Sequence, residues 1–447
     1  MASGRPPVLL PPPGPRAPCL LSAGRKEEEN ELPGCQRGRG GNSCRGRKRR
    51  EMPGLVGLAL EGAREAARTE PAGWRRWRKR AVLIARVAGL QLADLVGTSA
   101  YGARALCVHK GFWRGRRGRT WSLVKGCPYG PDARQFVDVY VPSGSSPAQV
   151  SGEPHKAVKA HPVAVFCHGG AWAAGEAWHY SCLGASLAAE GVLAVVPAYR
   201  LYPKANPGEQ AGDLGKALSW AMDNAARFGG DSSNLTLIGH SSGAHLCALE
   251  MLRRAEVPLG AVLDEAMDIA GREDRRQPRR FVGIAGPYDT ERHFHHEAGR
   301  GVESLSPMAR SMAPSGMGAF SPARALREYI GELTHEQFPP EGPTLVGDAH
   351  AWVASVGCGV AGGVSSAPAS LEESLPQCFV VTGLMDQSVP WPWGADFHRL
   401  LRLSGARSRN LLYREWGHND FITDWGRGLD DKSPYVRDTI SIALGIV

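Results

Sequence analysis

Short apolar runs alternate with segments of helical spacing from residue 134 to the end of the chain. A short apolar run that ends at Pro, Gly or a polar residue predicts a buried strand. Apolar positions three and four residues apart predict an amphipathic helix instead. The pattern predicts strands at 135–141, 161–167, 192–196, 235–238, 281–285, 378–381 and 410–415, and helices at 209–228, 243–252, about 394–404 and 435–445.

This alternation is typical of an α/β fold, in which helices cover both faces of a mostly parallel sheet. Two stretches, 254–280 and 332–375, interrupt it with sequence that is polar or rich in Gly, Ala, Ser and Pro. We interpret both as insertions in loops, which is where a lid over a site would lie. The chain of 447 residues is long enough for such a domain and an N-terminal leader.

The charge of the chain is divided between two regions. Residues 1–130 carry 26 Lys and Arg against 9 Asp and Glu, whereas residues 131–447 carry 27 against 35. Pro-rich runs and Gly/Arg strings cannot bury a core, so we predict that residues 1–73 form a disordered basic leader. The basic tract at 45–50 is interpreted as a solvated linker rather than a tail that binds nucleic acid.

The region 74–125 is both basic and apolar. Its tryptophans and arginines at 74–80 precede the apolar stretch 81–108, which three charged residues interrupt. Each charge near the centre of a bilayer costs about 2.5–3.5 kcal/mol. We therefore predict a helix in the membrane interface, with its Trp and Arg side chains among the lipid headgroups. The alternative is a helix packed on the body of the protein.

The sequence GHSSG at 239–243 directly follows one predicted strand and directly precedes a predicted helix. A serine at such a sharp turn has a strained backbone, and small flanking residues let its Oγ stand clear of the sheet. The start of the helix also offers free N–H groups and a positive dipole end to a developing anion. Ser241 is therefore the predicted nucleophile.

A second motif, HGGAW at 168–172, also lies at the end of a predicted strand. Acyl transfer needs N–H donors aimed at a carbonyl oxygen that becomes an oxyanion, and adjacent glycines let the backbone approach the substrate closely. We predict Gly169 and Gly170 as donors, with the N–H of Ser242 as the third and Ala171 beside them.

A nucleophilic serine needs a base, and the base needs an acid that orients it. Asp386 and His418 each follow a predicted strand, and the order Ser, Asp, His is the order expected for a GxSxG turn. They are predicted to complete a triad with Ser241. Asp289, after the predicted strand 281–285, is the main rival for the acid.

The remaining histidines give no metal signature. His240 and His245 flank the serine and are expected to pack or to shape the turn. His293, His295 and His296 are predicted to lie in a polar loop without the carboxylate spacing of a metal site. Ester hydrolysis by Ser, His and Asp requires no metal or organic cofactor, and we expect neither.

With these motifs in this order, residues 126–447 resemble the isoprenylcysteine methylesterases, a family of the α/β-hydrolase superfamily. The resemblance rests on YGP at 129–131, HGGAW at 168–172, GHSSGAH at 239–245, GPYD at 286–289, and His418 with Asp420. It implies an α/β-hydrolase fold and demethylation of the C-terminal methyl ester on prenylated cysteine. It also implies association with membranes of the endoplasmic reticulum or Golgi, and it puts Ser241, Asp386 and His418 in the triad positions.

Two other functions stay open from the sequence. Kynurenine formamidases and lipase-like carboxylesterases share the HGG and Ser-x-Gly-Ala-His elements, so an arylformamidase or a general short-chain carboxylesterase is one alternative. The other is a non-catalytic α/β-hydrolase scaffold whose basic tail binds nucleic acid or anionic lipid. Selective hydrolysis of a prenylated ester would distinguish the methylesterase from both. The sequence leaves the oligomeric state open.

Overall fold

An eight-stranded sheet runs through the centre of the molecule. The computed structural model describes residues 101–111, 121–144, 160–268, 274–300, 303, 306–312, 316–331, 371–426 and 433–446. The strands are β1 (Trp121–Pro128), β2 (Phe136–Pro142), β3 (His161–Cys167), β4 (Leu193–Pro197), β5 (Gly230–His240), β6 (Arg280–Ile284), β7 (Gln377–Gly383) and β8 (Ser408–Tyr413).

The strands lie in the order β1-β2-β4-β3-β5-β6-β7-β8. Only β2 runs against its neighbours β1 and β4, and the pairs from β4 through β8 are parallel. The carboxyl ends of parallel strands meet at one edge of a sheet, and the loops that follow them converge there. The predicted α/β class with a mostly parallel sheet is confirmed.

Helices cover both faces of this sheet. In chain order they are α1 (Ser181–Ala189), α2 (Pro207–Asn224), α3 (Ser242–Arg254), α4 (Ala261–Asp268), α5 (Thr290–Gly299), α6 (Pro307–Met312), α7 (Pro322–Tyr329), α8 (Trp391–Leu403), α9 (Asp420–Thr423) and α10 (Pro434–Leu444). Short 3₁₀ turns cover Ala177–Tyr180, Ala225–Phe228, Met317–Phe320 and Asp424–Gly426.

Alternate residues of the central strands divide the core into two layers. Val163 and Val165 of β3 lie in one cluster with apolar residues of α2, α3 and α8. Ala164 and Phe166 of the same strand lie in the other cluster, with apolar residues of α1 and α10. Side chains of successive strand residues point to opposite faces, so a strand buried on both sides is apolar throughout.

Helix α2 begins at a capping box, which explains where the predicted helix starts. The Asn206 side chain accepts from the N–H of Glu209 at 3.0 Å, and the Glu209 carboxylate accepts from the N–H of Asn206 at 2.9 Å. Pro207 occupies the first helical turn, where its missing N–H costs nothing. The 3₁₀ turn that follows α2 ends at Gly229, whose φ is 75°.

The N-terminal boundary differs from the prediction. Residues 101–109 are helical, and Tyr101, Ala105 and Val108 are buried in the core cluster that contains α1 and α10. The sheet itself begins at Trp121, so the folded region extends N-terminal to the predicted start at 126. For residues 101–109 of the region 74–125, the structure therefore shows the alternative, a helix packed on the body of the protein.

Residues 1–100 lie outside the described residues. The disordered leader at 1–73 and the membrane-interface helix over the first part of 74–125 therefore stay predictions. None of the helices in the described ranges is both long enough and apolar enough to cross a bilayer.

The predicted insertion at 254–280 contains a structural helix. In α4, Leu263 and Ala266 pack so closely on α2 that a Cβ at Gly208 would lie 2.7 Å from the Cβ of Ala266. Helix α4 is thus part of the helical layer. Its apolar face is short and a polar run follows it, so the sequence pattern did not indicate a helix here. Of the second predicted insertion, 332–375, residues 332–370 lie outside the described residues, and Leu371 and Leu375 are buried in the core.

Candidate active site

Ser241 lies at the turn between β5 and α3, where its backbone has φ of 54° and ψ of −127°. A residue other than glycine is strained in this region, and such strain is concentrated at functional sites. The N–H of Ser241 donates to the carbonyl of Ile284 in β6 at 2.8 Å. A Cβ at Gly243 would collide with the carbonyl oxygens of Cys167 and His168. The glycine therefore lets α3 start directly against the end of β3.

Asp386, His418 and Ser241 form a continuous line of hydrogen bonds. His418 Nδ1 is 2.8 Å from Oδ2 of Asp386, and His418 Nε2 is 2.9 Å from Oγ of Ser241. A carboxylate can only accept, so Nδ1 carries the proton and Nε2 faces the serine hydroxyl as an acceptor. The structure brings together the three residues that the sequence proposes as a triad, in the orientation that a general base requires.

The second oxygen of Asp386 is also fixed. Its Oδ1 accepts from the backbone N–H groups of Ser388 and Val389, each at 2.8 Å. Burial alone would raise the pKa of Asp386, but His418 and these two hydrogen bonds outweigh burial and lower the pKa below its ordinary value. The carboxylate is therefore ionised at neutral pH, as an orienting acid must be.

The rival acid Asp289 belongs to a different group of charges. Its Oδ1 accepts from the N–H of Arg292 at 3.1 Å and caps α5, and its Oδ2 accepts from Arg327 in α7 at 2.8 Å. Arg292 and Arg327 both pair with Asp396 in α8 as well. Asp289 thus joins helices, and Asp386 is the acid that reaches His418.

The loop after β3 turns back through three consecutive residues with positive φ. Gly170, Ala171 and Trp172 have φ of 133°, 49° and 60°. Within the part of the chain that the structure describes, the N–H groups of Gly169, Gly170 and Ala171 have no hydrogen-bond partner. A Cβ at Gly169 would lie 2.9 Å from the Cβ of Ser241, so the loop lies directly against the serine.

Ser242 directly follows the serine and is the first residue of α3, where it offers its backbone N–H. The first N–H groups of a helix have no intrahelical acceptor and point along the positive end of its dipole. The structure therefore places Gly169 and Ser242 beside Ser241, with Gly170 and Ala171 next in the same loop as Gly169.

His168 fixes the orientation of the loop. Its Nδ1 donates to the carbonyl of Gly169 at 2.9 Å, and the Tyr199 hydroxyl donates to the carbonyl of His168 at 2.7 Å. The His168 ring is buried in stacked contact with the rings of Tyr180 and Tyr199, and burial lowers its pKa to about 3. In a trans peptide the N–H points opposite to the C=O. The bond to Gly169 O therefore turns the N–H of Gly170 away from His168.

His245 joins this loop to a more distant segment, a role that the sequence did not reveal. The Trp172 indole N–H donates to Nδ1 of His245 at 3.2 Å, and Nε2 of His245 donates to the carbonyl of Phe320 at 2.6 Å. Burial lowers the pKa of His245 to about 4 and keeps it neutral, which this pattern of one acceptor and one donor requires. The sequence feature that could have indicated this role is the position of His245 as the last residue of the GHSSGAH motif.

The prediction that His293, His295 and His296 lie in a loop is wrong. They lie in α5, which forms because Asp289 caps its first turn. His293 contacts the Trp393 ring edge-on, and His296 Nε2 is 2.9 Å from the carbonyl of Gln387, beside Asp386. Across the described ranges, no group of three or more His, Cys, Asp or Glu side chains is arranged to bind a metal ion.

The sequence is similar to those of several known proteins. Residues 152–304 match the protein family described as BD-FAE. The probable isoprenylcysteine alpha-carbonyl methylesterase ICME of Oryza sativa subsp. japonica is 26% identical over 325 residues, which cover 72% of this chain and 63% of the relative. The isoprenylcysteine alpha-carbonyl methylesterase ICME of Arabidopsis thaliana is 28% identical over 310 residues, which cover 68% of this chain and 58% of the relative.

Solved structures show the same fold. The inhibited esterase B from Lactobacillus rhamnosis superposes with a TM-score of 0.53 at 15% identity, covering 81% of this chain and 95% of that one. The chain spans about three fifths of the length of the curated relatives that it matches. The chain therefore shares the α/β fold of esterase B, and isoprenylcysteine alpha-carbonyl methylesterases are among the proteins that its sequence resembles.

Proposed function

We propose that the protein is a serine carboxylic ester hydrolase that removes the methyl ester from the C-terminal carboxyl group of prenylated cysteine. Ser241 acts as the nucleophile, His418 as the base and Asp386 as the acid that orients the base. The observation that carries the proposal is the line of two hydrogen bonds, of 2.8 Å and 2.9 Å, that ends at a serine in a strained strand-to-helix turn.

The first half of the reaction transfers the acyl group to the enzyme. His418 Nε2 takes the proton of Ser241 as Oγ bonds to the ester carbonyl carbon, and the carbonyl electron pair moves to its oxygen. The tetrahedral intermediate then collapses, the carbon–methoxy bond breaks, and methanol leaves with the proton from His418. Asp386 stabilises the imidazolium that exists between these two steps.

The backbone stabilises the negative charge that develops on the carbonyl oxygen. The N–H groups of Gly169 and Gly170 are the principal donors, with that of Ser242 from the opposite side and Ala171 beside them. One donor of this kind contributes about 10²–10³ in kcat. Because the loop is fixed by His168 and by the turn at Gly170, these donors need little reorganisation during the reaction.

The second half of the reaction releases the acid. Water replaces methanol, His418 takes one of its protons, and the hydroxide oxygen bonds to the acyl carbon of the Ser241 ester. The second tetrahedral intermediate collapses with the proton returned to Ser241 Oγ, and the carboxylic acid of the prenylated cysteine departs and releases its remaining proton to solvent as it becomes a carboxylate. Atoms and protons balance without a cofactor.

The choice of substrate is supported by the printed names of the plant relatives, which share about a quarter of their aligned residues with this chain. Ester hydrolysis itself is supported independently by the geometry around Ser241. Association with endoplasmic reticulum or Golgi membranes stays a prediction, because residues 74–100 lie outside the described residues.

The proposal is tested with the full chain and three substrates: farnesylcysteine methyl ester, N-formylkynurenine and p-nitrophenyl butyrate. We expect the highest kcat/KM for the prenylated ester. Ser241→Ala should lower kcat by about 10⁴-fold or more, since removing the nucleophile of a triad leaves only residual catalysis. Ser404→Ala is the control, because Ser404 is a buried serine whose hydroxyl donates to the carbonyl of Leu401 in α8.

Each outcome discriminates between the alternatives. Preference for either small substrate, lost in Ser241→Ala, would keep the hydrolase and reject the prenylcysteine assignment. No hydrolysis of any of the three by the wild-type chain would count against an esterase and favour a non-catalytic scaffold.

A further inference from the structure

The side chain of His240 lies between the three parts of the proposed catalytic site. His240 is the last residue of β5 and directly precedes Ser241. Its ring is buried, and the ring centroids of His240 and His418 are 4.9 Å apart. A Cβ at Gly169 would lie 3.1 Å from Nδ1 of His240, so the same ring also packs against the oxyanion loop.

His240 Nε2 lies 3.0 Å from the backbone carbonyl oxygen of His418. A carbonyl can only accept, so Nε2 carries the proton and Nδ1 is bare. Burial is the main reason that the pKa of His240 falls to about 3, and the ring is therefore neutral at physiological pH. Within the described residues Nδ1 has no hydrogen-bond partner. Among the described residues, the bond to His418 is thus the one hydrogen bond of this ring.

The backbone on both sides of His418 also makes hydrogen bonds. The N–H of Gly417 donates to the carboxylate of Asp420 at 2.7 Å, and the carbonyl of Trp416 accepts from the N–H of Met385 at 3.1 Å. On the other side of His418, the carbonyl of Asn419 accepts from the N–H groups of Ile422 and Thr423, each at 3.0 Å. Among the residues that the structure describes, the hydrogen bond from His240 is the one that reaches the backbone of His418 itself, and it comes from the residue next to the nucleophile.

We infer that His240 is a positioning residue for His418, one that connects the backbone of the general base directly to the turn that carries Ser241. This inference rests on the proposed function and adds to it. The distance between Ser241 Oγ and His418 Nε2 depends on two loops from different strands. A bond between those loops fixes their separation before substrate arrives, and reacting groups that are displaced by 1 Å can lose about 10²-fold in rate.

The test compares His240→Gln with His240→Met in the full chain. The Gln amide can place an N–H donor near the position of Nε2, whereas Met has a similar length but no donor. We expect His240→Met to lower kcat by about 10- to 100-fold with KM changed less than about 2-fold, since geometry and not substrate binding is lost. His240→Gln should recover most of that loss.

A matched control separates positioning from general packing. His398→Met removes a half-buried histidine in the middle of α8 that likewise makes a side-chain hydrogen bond, here between Nδ1 and the Ser408 hydroxyl at 2.8 Å. It should leave kcat within about 2-fold of wild type. If His240→Met does not fold, His240→Asn replaces it in the comparison with His240→Gln. The Asn side chain is one methylene shorter than that of Gln, so its amide does not reach the carbonyl of His418.

The rate of Ser241 labelling by a fluorophosphonate probe distinguishes failure of this inference from failure of the proposed function. A wild-type chain that is not labelled contradicts the proposed function. A labelled wild type together with equal labelling rates in His240→Met and wild type contradicts the role of His240. Equal losses of kcat in the Gln and Met variants, at unchanged melting temperature, would also overturn it.

Discussion

Asp386 and Asp289 are both buried carboxylates that follow parallel strands, yet their surroundings give them different roles. Asp386 faces an imidazole and two backbone N–H groups, and one of its oxygens is committed to His418. Asp289 faces the guanidinium of Arg327 and the first turn of α5. The first environment suits an acid that orients a base, and the second suits an ion pair that joins helices.

Exchange of each acid for its amide separates these roles. Asp386→Asn should lower kcat by about 10²- to 10⁴-fold, because an amide favours the wrong imidazole tautomer and does not stabilise the imidazolium. Asp289→Asn keeps the helix cap but weakens the pairing with Arg327, so we expect kcat within about 3-fold and a loss of about 1–3 kcal/mol in the free energy of unfolding. Hydrolysis of p-nitrophenyl butyrate and urea unfolding measure the two quantities. The reverse assignment of effects would make Asp289 the acid.

The identities of the proposed catalytic residues could be predicted from the sequence because motif order restricts them. Ser241 follows from its turn, and Asp386 and His418 follow from their places after strands. The supporting contacts could not be predicted, since they join residues far apart in the chain. The hydrogen bonds from His240 to His418 and from His245 to Phe320 depend on how loops from different strands meet.

At the scale of elements, the site depends on how three segments meet at the start of α3. His245 in α3 accepts from Trp172 in the loop after β3 and donates to Phe320 in a 3₁₀ turn. Both bonds require a neutral imidazole in one tautomer. The contact between these segments therefore depends on the protonation state of His245.

Acidification should weaken this contact. The pKa of His245 falls to about 4 in the folded protein through burial, against an ordinary value near 6.5. Below pH 6.5 the unfolded chain therefore binds the proton more readily, so stability falls as the pH decreases toward the folded value. Between pH 7 and pH 5 this histidine should cost about 2 kcal/mol of the free energy of unfolding.

His245→Gln removes the titrating group and should make the chain less sensitive to acid by about this amount. Chemical denaturation of both chains at pH 7 and pH 5 measures the difference. An equal loss of stability in the two chains would show that His245 does not titrate on unfolding.

Most elements of the sheet could be predicted, and the exceptions have physical reasons. Strand β1 was missed because it is an edge strand whose side chains are largely exposed, so it lacks an apolar run. Helix α1 was missed because nearly all of its residues are buried and it therefore shows no amphipathic pattern. Boundaries shifted by a few residues where a cap decides them, as Asn206 does for α2.

In the molecule as a whole, the two layers of the core lie next to different parts of the chain. The cluster containing α2, α3 and α8 lies behind the turn at Ser241, whereas the cluster containing α1 and α10 also packs against residues 101–109. The segment N-terminal to the sheet is thus connected to the core on one face.

We propose that Ser241 is an activated nucleophile. Covalent labelling tests this role of Ser241 without assuming a substrate. A fluorophosphonate bonds to a serine Oγ with loss of fluoride only where a base activates the hydroxyl. We expect one adduct for each full-length chain, located at Ser241 by peptide mass spectrometry and absent from Ser241→Ala. A wild-type chain that forms no adduct, or an adduct that persists in Ser241→Ala, would contradict it.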